Sequence, residues 1–208
     1  MRTRFSVVLV LAALVVPTCV LAQRAPVAGA ALVHLEGEVF LNERVVESNS
    51  APSVLPDSVV LRTGQGRAVV TLKRGGFLFL DAGTSVLVAG NGVYNFNRIE
   101  VHTGSAIVAS ETSAPLVDCE NGIRLSDAGI FRFDVHRVNA TGERSCRFRV
   151  FEGAAAVPLV SLINAMRAGQ AMMCNRRCGD KIQTEEFSRD QLDDFDQWAR
   201  RTHERLRK

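Results

Sequence analysis

Between Val60 and Ser110 short apolar runs alternate with tight glycine turns, and no helical period survives for long. Ala68, Val70 and Leu72 fall on one side of an extended chain, and Val69 and Thr71 fall on the other. Lys73-Arg74-Gly75-Gly76 interrupts, and Phe77 to Leu80 runs back. Asp81 to Thr84 turns again ahead of Val86, Leu87 and Val88. Asn91-Gly92 is the strongest short hairpin signal, because a type I′ turn needs positive φ at both central residues. Many short strands at close spacing predict an all-β fold. The expected form is a compact stack of short antiparallel strands, either a sandwich or a short solenoid.

The rest of the body reads the same way. Leu32 to Leu41 is strand, glycine break at Gly37, strand. Glu47 to Asp57, with Pro52 and Pro56, reads as a surface loop. Ile99 to Val108 echoes Phe148 to Val157: both place apolar residues at positions 1, 3, 8 and 10 and glycine at position 6, Gly104 and Gly153. A strand, a glycine bend and a second strand give that pattern. Phe131, Phe133 and Val135 alternate with Arg132 and Asp134, as a half-buried antiparallel strand does. Leu159 to Ile163 continues the β run, and Arg167 to Gln170 turns into Ala171, Met172 and Met173.

The end changes character. Ser188-Arg189-Asp190-Gln191 fits a capping box. Leu192, Phe195, Trp198 or Ala199, Thr202 and Leu206 then recur at helical spacing. Acids crowd the first turns and arginines the last, which suits the helix dipole. One amphipathic helix is expected over about 188–206. Phe195 and Trp198 carry two readings: they fold the helix onto the sheet, the favoured one, or they form a docking face for a partner.

At the other end, Arg2 and Arg4 precede an apolar run from Val7 to Val16 that is too short to span a bilayer. Val20-Leu21-Ala22 places small residues for cleavage, so residues 1–22 read as a signal peptide cut after Ala22. The rivals are a lipoprotein acylated at Cys19, where Thr18 fits poorly, and an uncleaved anchor. Each puts the rest of the chain outside the cytoplasm, periplasmic or secreted. The expected organisation is a linker over 23–31, a β domain over 32–183 and a helical appendage over 184–208. No transmembrane helix is expected in the mature chain. The formal net charge of +3 includes the two leader arginines, so the mature chain is close to neutral and has no electrostatic pull toward nucleic acid. One Trp and one Tyr supply few stacking surfaces for bases or sugars.

The order Leu61-Arg62-Thr63-Gly64-x-Gly66-Arg67-Ala68-x-Val70-x-Leu72, a glycine turn, then Phe77 to Leu80 resembles the core of FecR-like domains. Val101-x-x-Gly104-x-Ala106, Phe131-x-Phe133-x-Val135, Val150-x-Glu152-Gly153-x-Ala155-x-Val157 and Ala168-Gly169-Gln170 follow in that family's order. The resemblance covers roughly Leu32 to Ala171. It implies an extracytoplasmic, all-β, non-enzymatic domain of the kind that relays signals from outer-membrane transporters to sigma factors. The chain departs from those regulators in starting at its leader, without an anti-sigma segment or membrane helix before the β domain. Asp127-Ala128-Gly129-Ile130 replaces the family's usual Gly-Thr, and a basic-ended helix stands where a small transporter-docking domain follows. The arrangement is similar to stand-alone exported FecR-like proteins.

Four cysteines remain after the leader: Cys119, Cys146, Cys174 and Cys178. In an oxidising compartment disulfides are the leading reading, with Cys119–Cys146 and Cys174–Cys178 preferred; a four-cysteine zinc site and free thiols are the alternatives. His34, His102, His136 and His203 are isolated in sequence, and no nucleophile elbow, zincin, phosphate-loop or dinucleotide motif occurs. No catalytic site, cofactor or metal is therefore expected. The function expected is a non-enzymatic envelope protein that binds or signals to another envelope component. The alternatives are a structural protein that self-associates through strand edges and, lower, a carbohydrate-active or carbohydrate-binding protein built on acids such as Asp81, Asp118, Asp127 or Asp134.

Overall fold

The computed structural model describes residues 30–47, 53–72, 75–91, 96–111, 116–119, 122–137, 143–158, 163–175 and 184–208. The leader and most of the expected linker lie outside these residues. The described chain is mostly strand, with one helix near its end. In chain order the strands are β1 (Ala31–Glu36), β2 (Val39–Leu41), β3 (Arg44–Val45), β4 (Ser53–Val54), β5 (Ser58–Thr63), β6 (Arg67–Thr71), β7 (Gly76–Leu80), β8 (Ser85–Asn91) and β9 (Phe96–Ser110). Then come β10 (Leu116–Asp118), β11 (Gly122–Leu125), β12 (Gly129–Arg137), β13 (Arg144–Glu152), β14 (Ala154–Pro158), β15 (Ile163–Arg167), β16 (Gln170–Asn175) and β17 (Thr184–Glu186). The helix is α1 (Asp194–Leu206).

The strands form two layers that share β9. The first layer runs β4-β1-β6-β7-β9-β12-β13-β16-β17. The second runs β3-β2-β5-β8-β9-β10-β11-β14-β15. All pairs are antiparallel except β9 with β10. β9 belongs to the second layer up to Thr103, opposite Ser85, and to the first from Gly104, opposite Val135. The two layers close on one core. Ala68, Val70, Leu78, Leu80, Phe131, Phe133 and Phe148 come from the first, and Leu61, Val86, Ile99, Ile123 and Val157 from the second. This is the sandwich of the two expected forms, with strands that bend from one layer into the other.

The sequence echo marks those bends. Gly104 and Gly153 both have positive φ, 86° and 85°, a region closed to most side chains. A Cβ on Gly104 would stand 2.5 Å from the Thr84 Cα, and one on Gly153 would stand 2.4 Å from the Ala128 carbonyl oxygen. The first copy crosses from second layer to first, and the second copy, β13 to β14, crosses back. The corner at Gly104 is tied by buried threonines. The Thr84 hydroxyl donates to the Ser105 carbonyl (3.1 Å), and the Thr63 hydroxyl accepts from the Thr84 amide (2.9 Å).

Asn91 at the end of β8 pairs with Phe96 at the start of β9, and Gly92 of the expected Asn91-Gly92 turn lies outside the described residues. One local expectation changes. The helix begins at Asp194 rather than near Ser188. Ser188 to Gln191 makes a turn instead, closed by the Gln191 amide on the Ser188 carbonyl (3.3 Å). The capping box falls on Asp193, whose side chain accepts from the Asp196 amide, and on Asp196, whose side chain accepts from the Asp193 amide. Shifting the start to Asp193 caps the helix and aims three acids at arginines of the sheet. Residues 184–208, expected as an appendage, contribute β17 to the first layer and lay α1 across its outer face.

Candidate functional site

The outer face of the first layer is the most elaborated surface of the molecule. Period-two alternation puts Val69, Phe79, Ile107 and Ala109 on that face, away from the main core. They are nevertheless buried, because Phe195, Trp198 and Ala199 of α1 cover them. Phe195 and Trp198 stack with ring centroids 6.0 Å apart, and Trp198 meets Phe79 edge-on at 6.0 Å. Phe195 is 2% exposed and Trp198 7%. Both rings pack on the chain's own sheet.

Charged groups clasp the start of the helix. Arg132 lies on β12, where alternation points it outward, yet it is buried. Its Nε donates to the Asp134 carboxylate (2.9 Å), and its Nη1 reaches Asp193 (2.6 Å) and Asp196 (2.8 Å). Asp134 also accepts from Arg149 (2.9 Å) and from the Ser105 hydroxyl (2.7 Å). Arg132 and Arg149 are direct cross-strand neighbours, a repulsive placement that the carboxylates between and above them neutralise. Arg67 holds Asp81 (2.8 Å) and Asp194 (2.7 Å), and its guanidinium lies 5.2 Å from the Trp198 ring centre. The Trp198 indole N–H donates to Glu36 (3.1 Å), which also meets His34 (3.0 Å).

This setting moves the acids in opposite directions. Burial pushes the Asp134 carboxyl up, but the Arg132 charge, the Ser105 hydroxyl and Arg149 outweigh it and hold it below the ordinary range. Asp193 is likewise held low: burial is outweighed by the Asp196 amide and Arg132. Asp196 goes up, because its burial beside Asp193 outweighs its contact with Arg132. At the far end of α1, burial and then Arg207 push His203 below the usual imidazole value, against the pull of Glu111, Glu152 and Glu204. Its Nε2 is buried without a hydrogen-bond partner among the described residues, and its ring stands edge-on to Phe77 at 5.3 Å.

The cysteines build a second feature. Cys119 and Cys146 are bonded, with Cα atoms 5.8 Å apart. Cys119 follows β10 in the second layer, and Cys146 lies on β13 in the first. The bond therefore joins the two layers through the core. Cys174 is buried directly opposite Cys146 on the neighbouring strand. Its expected partner Cys178 lies outside the described residues.

Of the acids weighed for chemistry, Asp81 pairs with Arg67, Asp118 with Arg98 (3.4 Å) and Asp134 with Arg132, while Asp127 is exposed in a turn. Among the described residues no three His, Cys, Asp or Glu side chains converge as a metal site. A crevice of about 20 Å³, room for one water, separates α1 from Phe79, Ile107, Ile130 and Phe151. It adjoins a shallow groove of about 380 Å³ rimmed by Glu111, Glu152, His203 and Arg207. No described helix is long and apolar enough to cross a membrane.

No protein-family model and no curated protein matches the chain. Among solved structures, two crystal structures of a candidate anti-sigma factor from Parabacteroides distasonis are similar to the chain. One matches at a TM-score of 0.50 and 14% identity over 62% of this chain and 60% of that one. The other matches at a TM-score of 0.49 and 14% identity over 61% of this chain and 59% of that one. The chain thus spans about 60% of the length of the structures it matches. At this identity the likeness is one of fold.

Proposed function

We propose that the chain is an exported FecR-like domain of the cell envelope that works by binding another envelope protein rather than by catalysis. The observation that carries this reading is the two-layer fold, shared with a candidate anti-sigma factor, closed across its core by the Cys119–Cys146 bond. A disulfide buried between layers is a feature of proteins that mature in an oxidising compartment. The leader over residues 1–22 provides the route there, with Gln23 as the mature N-terminus. Binding in a signalling relay, as the FecR-like resemblance implies, needs surface and rigidity rather than a reactive group. Of the acids weighed for a hydrolase, Asp81, Asp118 and Asp134 face arginines.

Partner capture tests the reading. Residues 23–208 are immobilised and cell-envelope extract is passed over them, with a reduced and alkylated sample as control. The reading predicts that a specific envelope protein is retained by the native form and lost from the control. Retention of nothing, or retention only of sugar polymer, contradicts it.

A further inference from the structure

We propose that the groove at the C-terminal end of α1 is a binding site for a primary alkylammonium ion. This inference does not rest on which envelope protein the domain binds. The groove, about 380 Å³, is open space left beside α1 rather than filled by it. It lies between the last turn of α1, the ends of β9 and β13 and the start of β12. Its floor is Ala109, Ala128 and Gly129, whose side chains are too small to fill it. Its walls carry charge: Glu111 follows β9, Glu152 ends β13, and His203 and the C-cap Arg207 come from α1.

Charge selects a cation. Two carboxylates stand against one guanidinium, and burial and Arg207 keep the imidazole neutral. Glu204 also faces His203, while Asp196 and Arg200 in the adjoining crevice offset each other. The C-terminal end of α1 adds partial negative charge. The Arg207–Glu111 contact is 3.6 Å long between exposed side chains, and such a pair contributes so little that an incoming cation displaces it. Hydrogen bonding narrows the class. His203 Nε2 is buried without a partner among the described residues, a state that buried polar atoms rarely keep. With the ring proton on Nδ1, Nε2 is an acceptor. The three N–H donors of an alkylammonium match Nε2 and the Glu111 and Glu152 carboxylates, whereas a quaternary ammonium has none. The crevice beside His203, walled by Phe79, Ile107, Ile130 and Phe151, is apolar and narrow, and it admits a methylene stem rather than a ring. A free alkylamine and a lysine side chain share this chemistry.

Titration of the full-length protein tests this. The imidazole nitrogens are followed by NMR at about pH 7.5, where a histidine of ordinary pKa is neutral, and at constant ionic strength. The probes are n-butylamine and Nα-acetyl-lysine N-methylamide, with n-butanol and tetramethylammonium as controls. The proposal predicts a saturable shift at His203, half-complete on the order of 1 mM, that neither control produces. Glu111→Gln and Glu152→Gln, both at exposed positions, should each raise the half-saturating concentration roughly tenfold. Saturation by the lysine derivative assigns the ion to a protein side chain, and saturation by n-butylamine alone assigns it to a free amine. No saturable shift, equal binding of n-butanol, or a shift that neither substitution weakens overturns the proposal.

Discussion

Asp134 is the residue on which most of the first layer's outer charge depends. It accepts from Arg132, Arg149 and Ser105 at once. Removing one partner of a buried ion pair leaves the other desolvated and uncompensated, at a cost of about 3–5 kcal/mol. Asp134→Ala should therefore destabilise the protein by about that amount in denaturant titration. Asp134→Asn, which keeps the shape and one hydrogen bond, should do less harm. Equal stability of wild type and Asp134→Ala would mean that the network contributes nothing. The alternation that made Arg132 and Asp134 legible as one face of a strand could not show that this face is covered. Period two assigns sides, not neighbours, and the helix acids that join Asp134 on Arg132 begin 61 residues later in the chain.

At the scale of the element, α1 is a third layer held differently at its two ends. Its start is clasped by carboxylates on Arg67 and Arg132, and its last turns lay His203 against Phe77 and Phe79. The two ends respond to acid in the same sense. Because His203 is held below the usual imidazole value of 6.5, its contribution is present above 6.5 and is lost as pH falls through its folded-state value. Asp134, Asp193 and Glu36 are held below the ordinary carboxyl range, so their contributions are lost only in stronger acid, below about 4. Asp196, held high, works against them by favouring the docked helix when protonated. Trp198 emission should shift to the red in two steps on acidification, the first below pH 6.5. His203→Gln should remove the first step and keep the second. One step, or a first step unchanged by His203→Gln, would contradict this assignment. The helix itself was plain from the spacing of Phe195, Trp198 and Thr202. Its start was not, because Ser188-Arg189-Asp190-Gln191 carries the same local signature as the true cap. Only the arginines of distant strands make Asp193 the better choice.

At the scale of the whole molecule, one long strand and a set of glycine bends weave the described residues into a two-layered sandwich, and the Cys119–Cys146 disulfide crosses between the layers. The echo around Gly104 and Gly153 was readable as strand, bend, strand. It could not tell a sandwich from a solenoid, since both fold at such bends. The difference lies in which strands meet across the core, a set of contacts distant in sequence. Cys119 and Cys146 are separated by 27 residues, and closing a loop of that size contributes about 3–4 kcal/mol in the chain-entropy account. The bond fits the proposal that this sandwich matures outside the cytoplasm, by way of the leader expected over residues 1–22. Peptide mapping of the full chain expressed in bacteria and recovered from the envelope fraction tests it directly. The digest is run without reduction. The account predicts a mature N-terminus at Gln23 and a linked peptide pair containing Cys119 and Cys146. A chain that keeps Met1 and yields Cys119 and Cys146 as alkylated thiols would contradict it.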